Sequence, residues 1–390
     1  MEVVQLFYTY LHITENWCYR LIKNLPNTKI TIVAGNIINK NIFPLPRARF
    51  VRKPFQGTRR KLSSHQPRII SPALKIQSVL WHILLIFKLK KTDLLHAHFS
   101  FVGWNYLWLA KRLKAPLIIS FYGYDYESLP YKEPVWRERY EELFRIVDLI
   151  LTEGNFGRET LIRMGCPEGK VKVVRLGVDV RKIPFNLRKK PANELRLIQI
   201  ATFTSKKGYD VTIHAFRKAI KKCPGITLTL VGKDPEGIRD EYYKLICENE
   251  LNEYVKIIDG IDFKDLHSFL QRFHVFIHPS KYGKNKDSEG GAPVVLLDAQ
   301  ATGMPVLSTT HCDIPDEVLD GKTGILVEEN DVEGLADAIE SFYLMDESSY
   351  HLYCRQARKH VKDRYDAVKN GRILQEVYFD VAKNKRVKSK

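Results

Sequence analysis

Short apolar runs of strand length alternate along this chain with longer segments of helical period, and the pattern starts again halfway. Residues 3–7, 30–33, 94–99, 117–121 and 149–152 read as buried strands, with helix-like stretches at 15–24, 75–90, 103–113 and 133–147. A second strand set follows at 195–200, 226–231, 255–258, 275–278, 305–308 and 324–327, with helices at 208–221, 238–249, 263–271 and 294–301. Continuous apolar strands separated by helices argue for βαβ units and parallel sheets covered on both faces. One core seldom grows to 390 residues, so the restart predicts two doubly wound α/β domains with the substrate cleft between them. The expected division is 1–182, 183–350 and a helical segment, 351–390, that crosses back to the first domain and ends in a basic tail. The break falls in 178–193, which holds Pro184, Pro191 and the basic cluster Arg188-Lys189-Lys190.

The charge is uneven. Residues 1–180 hold 28 Lys/Arg against 14 Asp/Glu, a net +14 of the chain's +17. No carboxylate occurs between Glu15 and Asp93, a stretch with 16 Lys/Arg that includes Arg47, Arg49, Arg52, Lys53, Arg59, Arg60 and Lys61. A one-sided positive field attracts phospholipid headgroups, lipid phosphates or nucleic acid, and a solvated basic face is the alternative. No interleaved aromatic–basic motif accompanies it, so nucleic acid is not expected as a partner. Peripheral contact with an anionic membrane, on the inner face, stays open from charge alone. The most apolar run, VLWHILLIF at 79–87, is too short to span a bilayer as a helix and is expected to be a core helix. The first ten residues lack a leader's basic start and long apolar run. The six cysteines include no CxxC pair. These features predict a cytoplasmic protein with free thiols, no disulfide framework and no zinc site.

Three junctions in the second half carry chemistry. The first runs from Glu289 to Asp298, where a strand ending at His278-Pro279-Ser280 leads through a polar loop and Gly290-Gly291-Ala292 into an apolar helix starting near Pro293. Proline suits a first helical turn, glycines let backbone approach a ligand, and free N–H groups up to Val294 favour a phosphate. A carboxylate at Glu289 would repel phosphate, so it suits hydroxyls or a developing cation; Asp298 could face the same ligand. The plain alternative is that Glu289 caps the helix and Asp298 is a surface acid. The second junction, Lys206-Lys207-Gly208, follows a strand, and a lysine there can reach a diphosphate as a point charge. The third is Gly232 in Val231-Gly232-Lys233-Asp234-Pro235.

In the first half, one strand ends at His96-Ala97-His98-Phe99 and the next at Phe121-Tyr122-Gly123-Tyr124-Asp125. Polar groups at neighbouring strand ends converge on a cleft. A lone histidine in such a place is usually a satisfied core residue, but His98 with Tyr122 and Asp125 at adjacent ends points to function.

HPS followed by EGGAPVVLLDAQATGMPVLST and IPDEVLDGKTGILV resembles the donor-binding signature of glycosyltransferase family 4. KKG at 206–208 and VGKDP at 231–235 resemble two further motifs of that family. HAHF, FYGYD and VVRLGVD resemble segments of its branch of colanic-acid and other exopolysaccharide glycosyltransferases. The resemblance covers nearly the whole chain. It implies a GT-B fold of two Rossmann-like domains, acceptor-binding first and nucleotide-sugar-binding second. It also implies retaining transfer without an Asp-x-Asp metal site, and the sequence contains no such triplet. By the same resemblance Glu289 sits near the donor sugar, Asp298 binds the nucleotide ribose, and Lys207, with Lys206 and the amides from Gly290 to Val294, neutralises the leaving diphosphate. Three departures are visible. Eight residues, not seven, separate Glu289 from Asp298; Thr202 stands where an arginine precedes KKG; and Tyr122 replaces the histidine of FHG.

The expectation is therefore a retaining glycosyltransferase without a cofactor. Its donor substrate is a UDP- or GDP-linked sugar, and its acceptor a glycan or a lipid-diphosphate-linked glycan. The alternatives are a GT-B enzyme with a soluble acceptor, of sucrose or glycogen type, and a basic nucleic-acid-binding protein.

Overall fold

A computed structural model describes residues 1–53 and 72–388. The basic residues Arg59, Arg60, Lys61 and Arg68 and the last two residues of the basic tail lie outside the described residues. The first sheet has seven strands: β1 Glu2–Tyr10, β2 Lys29–Ile37, β3 Arg49–Arg52, β4 Leu94–His98, β5 Leu117–Ser120, β6 Leu149–Thr152 and β7 Val171–Val173. They lie in the order β3-β2-β1-β4-β5-β6-β7, and every pairing is parallel. The second sheet has six: β8 Leu195–Ile200, β9 Ile226–Val231, β10 Val255–Ile258, β11 Val275–His278, β12 Val306–Thr309 and β13 Gly324–Val327. Their order is β10-β9-β8-β11-β12-β13, again parallel throughout. Both sheets are doubly wound, as the alternation predicts. Strand order reverses beside β1 and β4 in one and beside β8 and β11 in the other, and crevices open at such switch points.

The strands sit where the apolar runs place them, and β4, β5, β11 and β12 are buried at every position. The edge strand β3 (RFVR) and β7 (VKV) are too short and too charged to announce themselves as apolar runs.

The connection between the sheets is not a loose, solvated link. Val178, Val180 and Ile183 form a small core with Leu297, Ala301, Val361 and Tyr365. Arg188 donates to the Thr302 carbonyl at 2.9 Å and the Thr302 hydroxyl at 2.6 Å, and Lys190 donates to the carbonyls of Tyr343 and Met345 at 3.0 and 2.9 Å. The two ends of the Arg188-Lys189-Lys190 cluster are buried because open carbonyls at helix ends need donors.

Helix Glu347–Arg364 packs on the second sheet's core through Tyr350 and Cys354. The chain then crosses at Tyr365-Asp366, where Val178 and Asp366 form an isolated bridge. Helix Ala367–Lys388 packs Leu374, Val377 and Tyr378 into the first sheet's core.

The VLWHILLIF run belongs to helix Pro72–Leu89. The expected core helix is only half realised. Trp81, Leu85 and Leu89 are buried, whereas Val79, Leu80, Ile83, Leu84 and Phe87 face outward. Among the described residues, no helix is long and apolar enough to cross a membrane.

Candidate active site

The loop after β8 passes through a short helical turn, Ser205–Lys207, to Gly208, which adopts the left-handed region (φ +65°) and opens helix Tyr209–Ala219. A side chain on Gly208 would also strike the Pro279 carbonyl just after β11, so this position requires glycine. The neighbouring switch-point strand ends are thus drawn together, and their side chains meet. The Lys207 ammonium donates to both oxygens of the Glu289 carboxylate, each at 2.7 Å. The Ser280 hydroxyl donates to Glu289 Oε1 at 2.9 Å, and His278 Nε2 lies 3.8 Å from the same oxygen. Lys206 donates to Asp287 at 3.1 Å and to the Ser288 carbonyl at 2.9 Å.

Burial works against a charge on Glu289. Lys207, His278 and Lys206 nonetheless hold its carboxyl well below the usual range, so it stands ionised. A second support comes from behind. The Glu289 N–H donates to His311 Nε2 at 3.1 Å, so the proton on that ring sits on Nδ1 and is given to Glu329 at 2.6 Å. After Glu289 the chain turns at Gly290 (φ +69°), runs through Gly291, Ala292, Pro293 and Val294, and becomes helix Val295–Ala301. The helix begins two residues beyond Pro293. Proline contributes no N–H, so the amides available here are those of its neighbours.

The first domain closes directly over this turn. A Cβ on Gly290 or on Gly123 would overlap the other residue's backbone, and the Tyr126 hydroxyl donates to the Gly290 carbonyl at 2.8 Å. Tyr126 belongs to a π-helical turn, Tyr124–Ser128, of the kind often found at functional sites. A Cβ on Gly291 would overlap the Glu153 carboxylate. Burial, then the charges of Asp313 and Glu289, push the Glu153 carboxyl well above its usual range.

His98 and Tyr122 are joined. The Tyr122 hydroxyl meets His98 Nδ1 at 2.9 Å, and His98 Nε2 meets Gln5 Oε1 at 2.9 Å. Gln5 Nε2 donates to the Tyr378 hydroxyl at 3.0 Å, which lies 2.6 Å from His96 Nδ1; His96 Nε2 reaches the Ser120 hydroxyl at 2.8 Å. Because the Gln5 oxygen only accepts, His98 carries its proton on Nε2 and takes one from Tyr122. His98 is stacked on Phe7 with ring centroids 4.4 Å apart. Burial, then neighbouring His96, holds its pKa well below the usual imidazole value, so the ring is neutral. Phe99, at φ +77°, is a non-glycine residue in a strained conformation where β4 hands over to helix Ser100–Leu113.

Not every expected residue reaches the cleft. Asp125 accepts from the Ser100 amide at 2.9 Å, the Ser100 hydroxyl at 2.6 Å and the Tyr122 amide at 2.9 Å. Its carboxylate clamps the two strand-end loops together instead of facing a ligand. Gly232 has a backbone reason: a Cβ there would overlap the Ala201 carbonyl, where β8 and β9 end side by side. Asp298 is neither a surface acid nor open to the cleft. Arg20 of the first domain grips both its oxygens (3.2 and 3.3 Å), and His267 Nε2 lies 2.8 Å from Oδ1. Burial opposes that charge, but Arg20 and His267 hold the carboxyl below its usual range.

Glu153, Tyr126 and Arg20 were not foreseen, and Ser280 stood in the sequence only as the end of HPS, with no role. Glu153 had a signal, since it directly follows β6 just as His98 ends β4. Arg20 had none, because its partner is 278 residues away.

Comparison with known proteins completes the picture. The model of "Glycosyl transferases group 1" matches residues 181–360, and that of "Glycosyltransferase Family 4" matches residues 44–182. A protein of Escherichia coli named for colanic acid biosynthesis, the glycosyltransferase WcaL, is 31% identical over 71% of this chain and 68% of its own length. The amylovoran biosynthesis glycosyltransferase AmsK of Erwinia amylovora is 29% identical over 63% of this chain and 60% of its own. Among solved structures, a glycosyltransferase from Rickettsia africae has a TM-score of 0.76 at 17% identity, covering 98% of this chain and 99% of that one. HepE of Anabaena, in complex with UDP and glucose, has a TM-score of 0.72 at 16% identity, covering 96% of this chain and 98% of that one. These likenesses establish the two-domain GT-B fold.

Proposed function

The chain belongs to glycosyltransferase family 4, and from that membership we propose that it transfers a sugar from a UDP- or GDP-linked donor, with retained anomeric configuration, to a glycan or lipid-diphosphate-linked acceptor during exopolysaccharide synthesis. The observation that carries the residue roles is the buried Lys207–Glu289 pair at the β8/β11 switch point, facing the Gly123 turn of the other domain. The donor lies on the second domain. Cleavage of its sugar–phosphate bond builds negative charge on the leaving diphosphate, and Lys207, Lys206 and the amides around Gly291–Val294 stand ready to meet it. Fixed positive groups at a developing charge are the largest single source of catalysis in sites of this kind.

Glu289 is the anion placed at the sugar rather than at the phosphate. Once a diphosphate engages Lys207, its carboxylate is free to bind sugar hydroxyls and oppose the positive charge that develops on the anomeric carbon. The Tyr122–His98 pair and Glu153 line the acceptor side. Asp298, held by Arg20 and His267, would tie the two domains together over the bound donor rather than meet the ribose itself. The relatives' roles in colanic acid and amylovoran synthesis support the polysaccharide context, and fold neighbours bound to UDP favour a uridine donor.

A thermal-shift series with UDP- and GDP-sugars tests the donor reading, because stabilisation follows occupancy. One base should raise the melting temperature of wild type, and the rise should disappear in Lys207→Met. No shift with any nucleotide sugar rejects the reading.

A further inference from the structure

Helix Pro72–Leu89 presents two apolar faces, and among the described residues one packs into the first sheet's core and the other is exposed. Val79, Leu80, Ile83, Leu84 and Phe87 are exposed, from 45% at Ile83 to 66% at Phe87. At roughly 100° per residue they occupy an arc of about 140°, directly opposite the buried Trp81, Leu85 and Leu89. Single exposed apolar side chains need no explanation, but five of them on one helix face mark a surface meant to be covered.

The charge around the stripe says by what. Lys88, Lys90 and Lys91 are exposed at its end, and the sequence places no carboxylate between Glu15 and Asp93. A second copy would set one basic face against another. An anionic lipid surface is complementary in both respects, apolar below and negative at the headgroups. Among the described residues no helix is long and apolar enough to cross a membrane, and a helix this basic at one end suits the interface.

We propose that the outward face of helix Pro72–Leu89 docks this protein on an anionic lipid surface, with Leu80, Ile83, Leu84 and Phe87 at the acyl boundary and Lys88, Lys90 and Lys91 among the phosphates. For its purpose the docking rests on the reading of a lipid-linked acceptor; its test reads binding, not turnover.

The test is flotation of the full chain with vesicles of phosphatidylcholine plus phosphatidylglycerol, and of phosphatidylcholine alone, at low salt. Wild type should float with the anionic vesicles only. Binding should fall about tenfold or more in Leu80→Ser/Leu84→Ser/Phe87→Ser and in Lys88→Glu/Lys90→Glu/Lys91→Glu, both of which alter exposed positions and should keep the wild-type melting temperature. Equal flotation of the serine variant overturns the proposal, as does equal binding to neutral vesicles. A wild-type dimer in solution that the serine variant abolishes also overturns it, in favour of a second copy. If flotation behaves as expected while no nucleotide sugar stabilises the protein, docking stands and the donor reading alone fails.

Discussion

The Lys207 ammonium donates to both carboxylate oxygens of Glu289 at 2.7 Å, joining the loop after β8 to the turn after β11. Neither group is free to serve solvent, because both are largely buried. Removing one partner of such a pair strands the other. Lys207→Met should therefore lose ~3–5 kcal/mol in denaturant unfolding. Turnover should fall about 10²–10³-fold with it. The double variant Lys207→Met/Glu289→Gln should regain most of the stability and none of the turnover, since a neutral pair no longer leaves a buried charge. A double variant as unstable as the single would show that the loss is not electrostatic.

The meeting of Gly123 and Gly290 predicts a closure variant. Gly123 sits at φ −47°, a conformation open to any residue, so Gly123→Ala should fold normally. Its methyl would nevertheless overlap the Gly290 backbone in the closed cleft. We expect donor stabilisation to persist, kcat to fall by about two orders of magnitude, and the radius of gyration from X-ray scattering to rise. A Gly123→Ala enzyme with wild-type kcat would mean that this contact is not part of the productive state.

His98 should be silent in the pH–rate profile. Burial depresses its pKa well below the usual imidazole value, and that of His96 to about 3. Both bind protons less readily folded than unfolded. The stability they contribute is therefore present above about pH 6.5 and is lost as pH falls below it. No ionisation from His98 should appear in kcat/KM between about pH 6 and 8. Tyr122→Phe would leave His98 Nδ1 only the weaker Cys18 thiol, 3.4 Å away, and should cost ~1 kcal/mol. A limb near neutrality that vanishes in His98→Gln would overturn this.

Asp313 carries the opposite sign. It accepts the Phe156 amide at 2.7 Å across the domain boundary, and burial raises its pKa to about 7. The neutral acid is favoured in the folded state, so its contribution is full below about pH 4 and is lost as pH rises through about 7. Asp313→Asn keeps the accepting oxygen and removes the ionisation. Its melting temperature relative to wild type should climb between pH 5.5 and 8.5, by a few degrees. A pH-independent difference would argue that the acid stays ionised throughout.

Much of the fold could be read directly. Five of the six strands of the second sheet, and β6 of the first, begin and end at the residues the apolar runs indicate. This is because each of these strands keeps an apolar core side that ends where the flanking loop turns polar, even where residues such as Arg196 or Lys256 interrupt it. Lys207, Glu289 and the glycines between the domains were also legible, since strand-end loops at a switch point must face the cleft. Asp125 and Gly232 were legible as positions and not as roles. A carboxylate at a strand end looks the same whether it meets a ligand or, as here, two backbone amides and a serine.

The sequence by itself determined the two doubly wound sheets and the placing of Lys207 and Glu289 at strand-end junctions of the second, because alternation and strand-end chemistry are local. Only the tertiary structure decided which groups are paired and which surfaces are covered. Asp298 became an interdomain anchor through Arg20, Arg188 and Lys190 went inside to meet orphan carbonyls, and half of VLWHILLIF was left outside. Burial and pairing depend on what a distant segment brings to the same place, and nothing in a local stretch of residues encodes that.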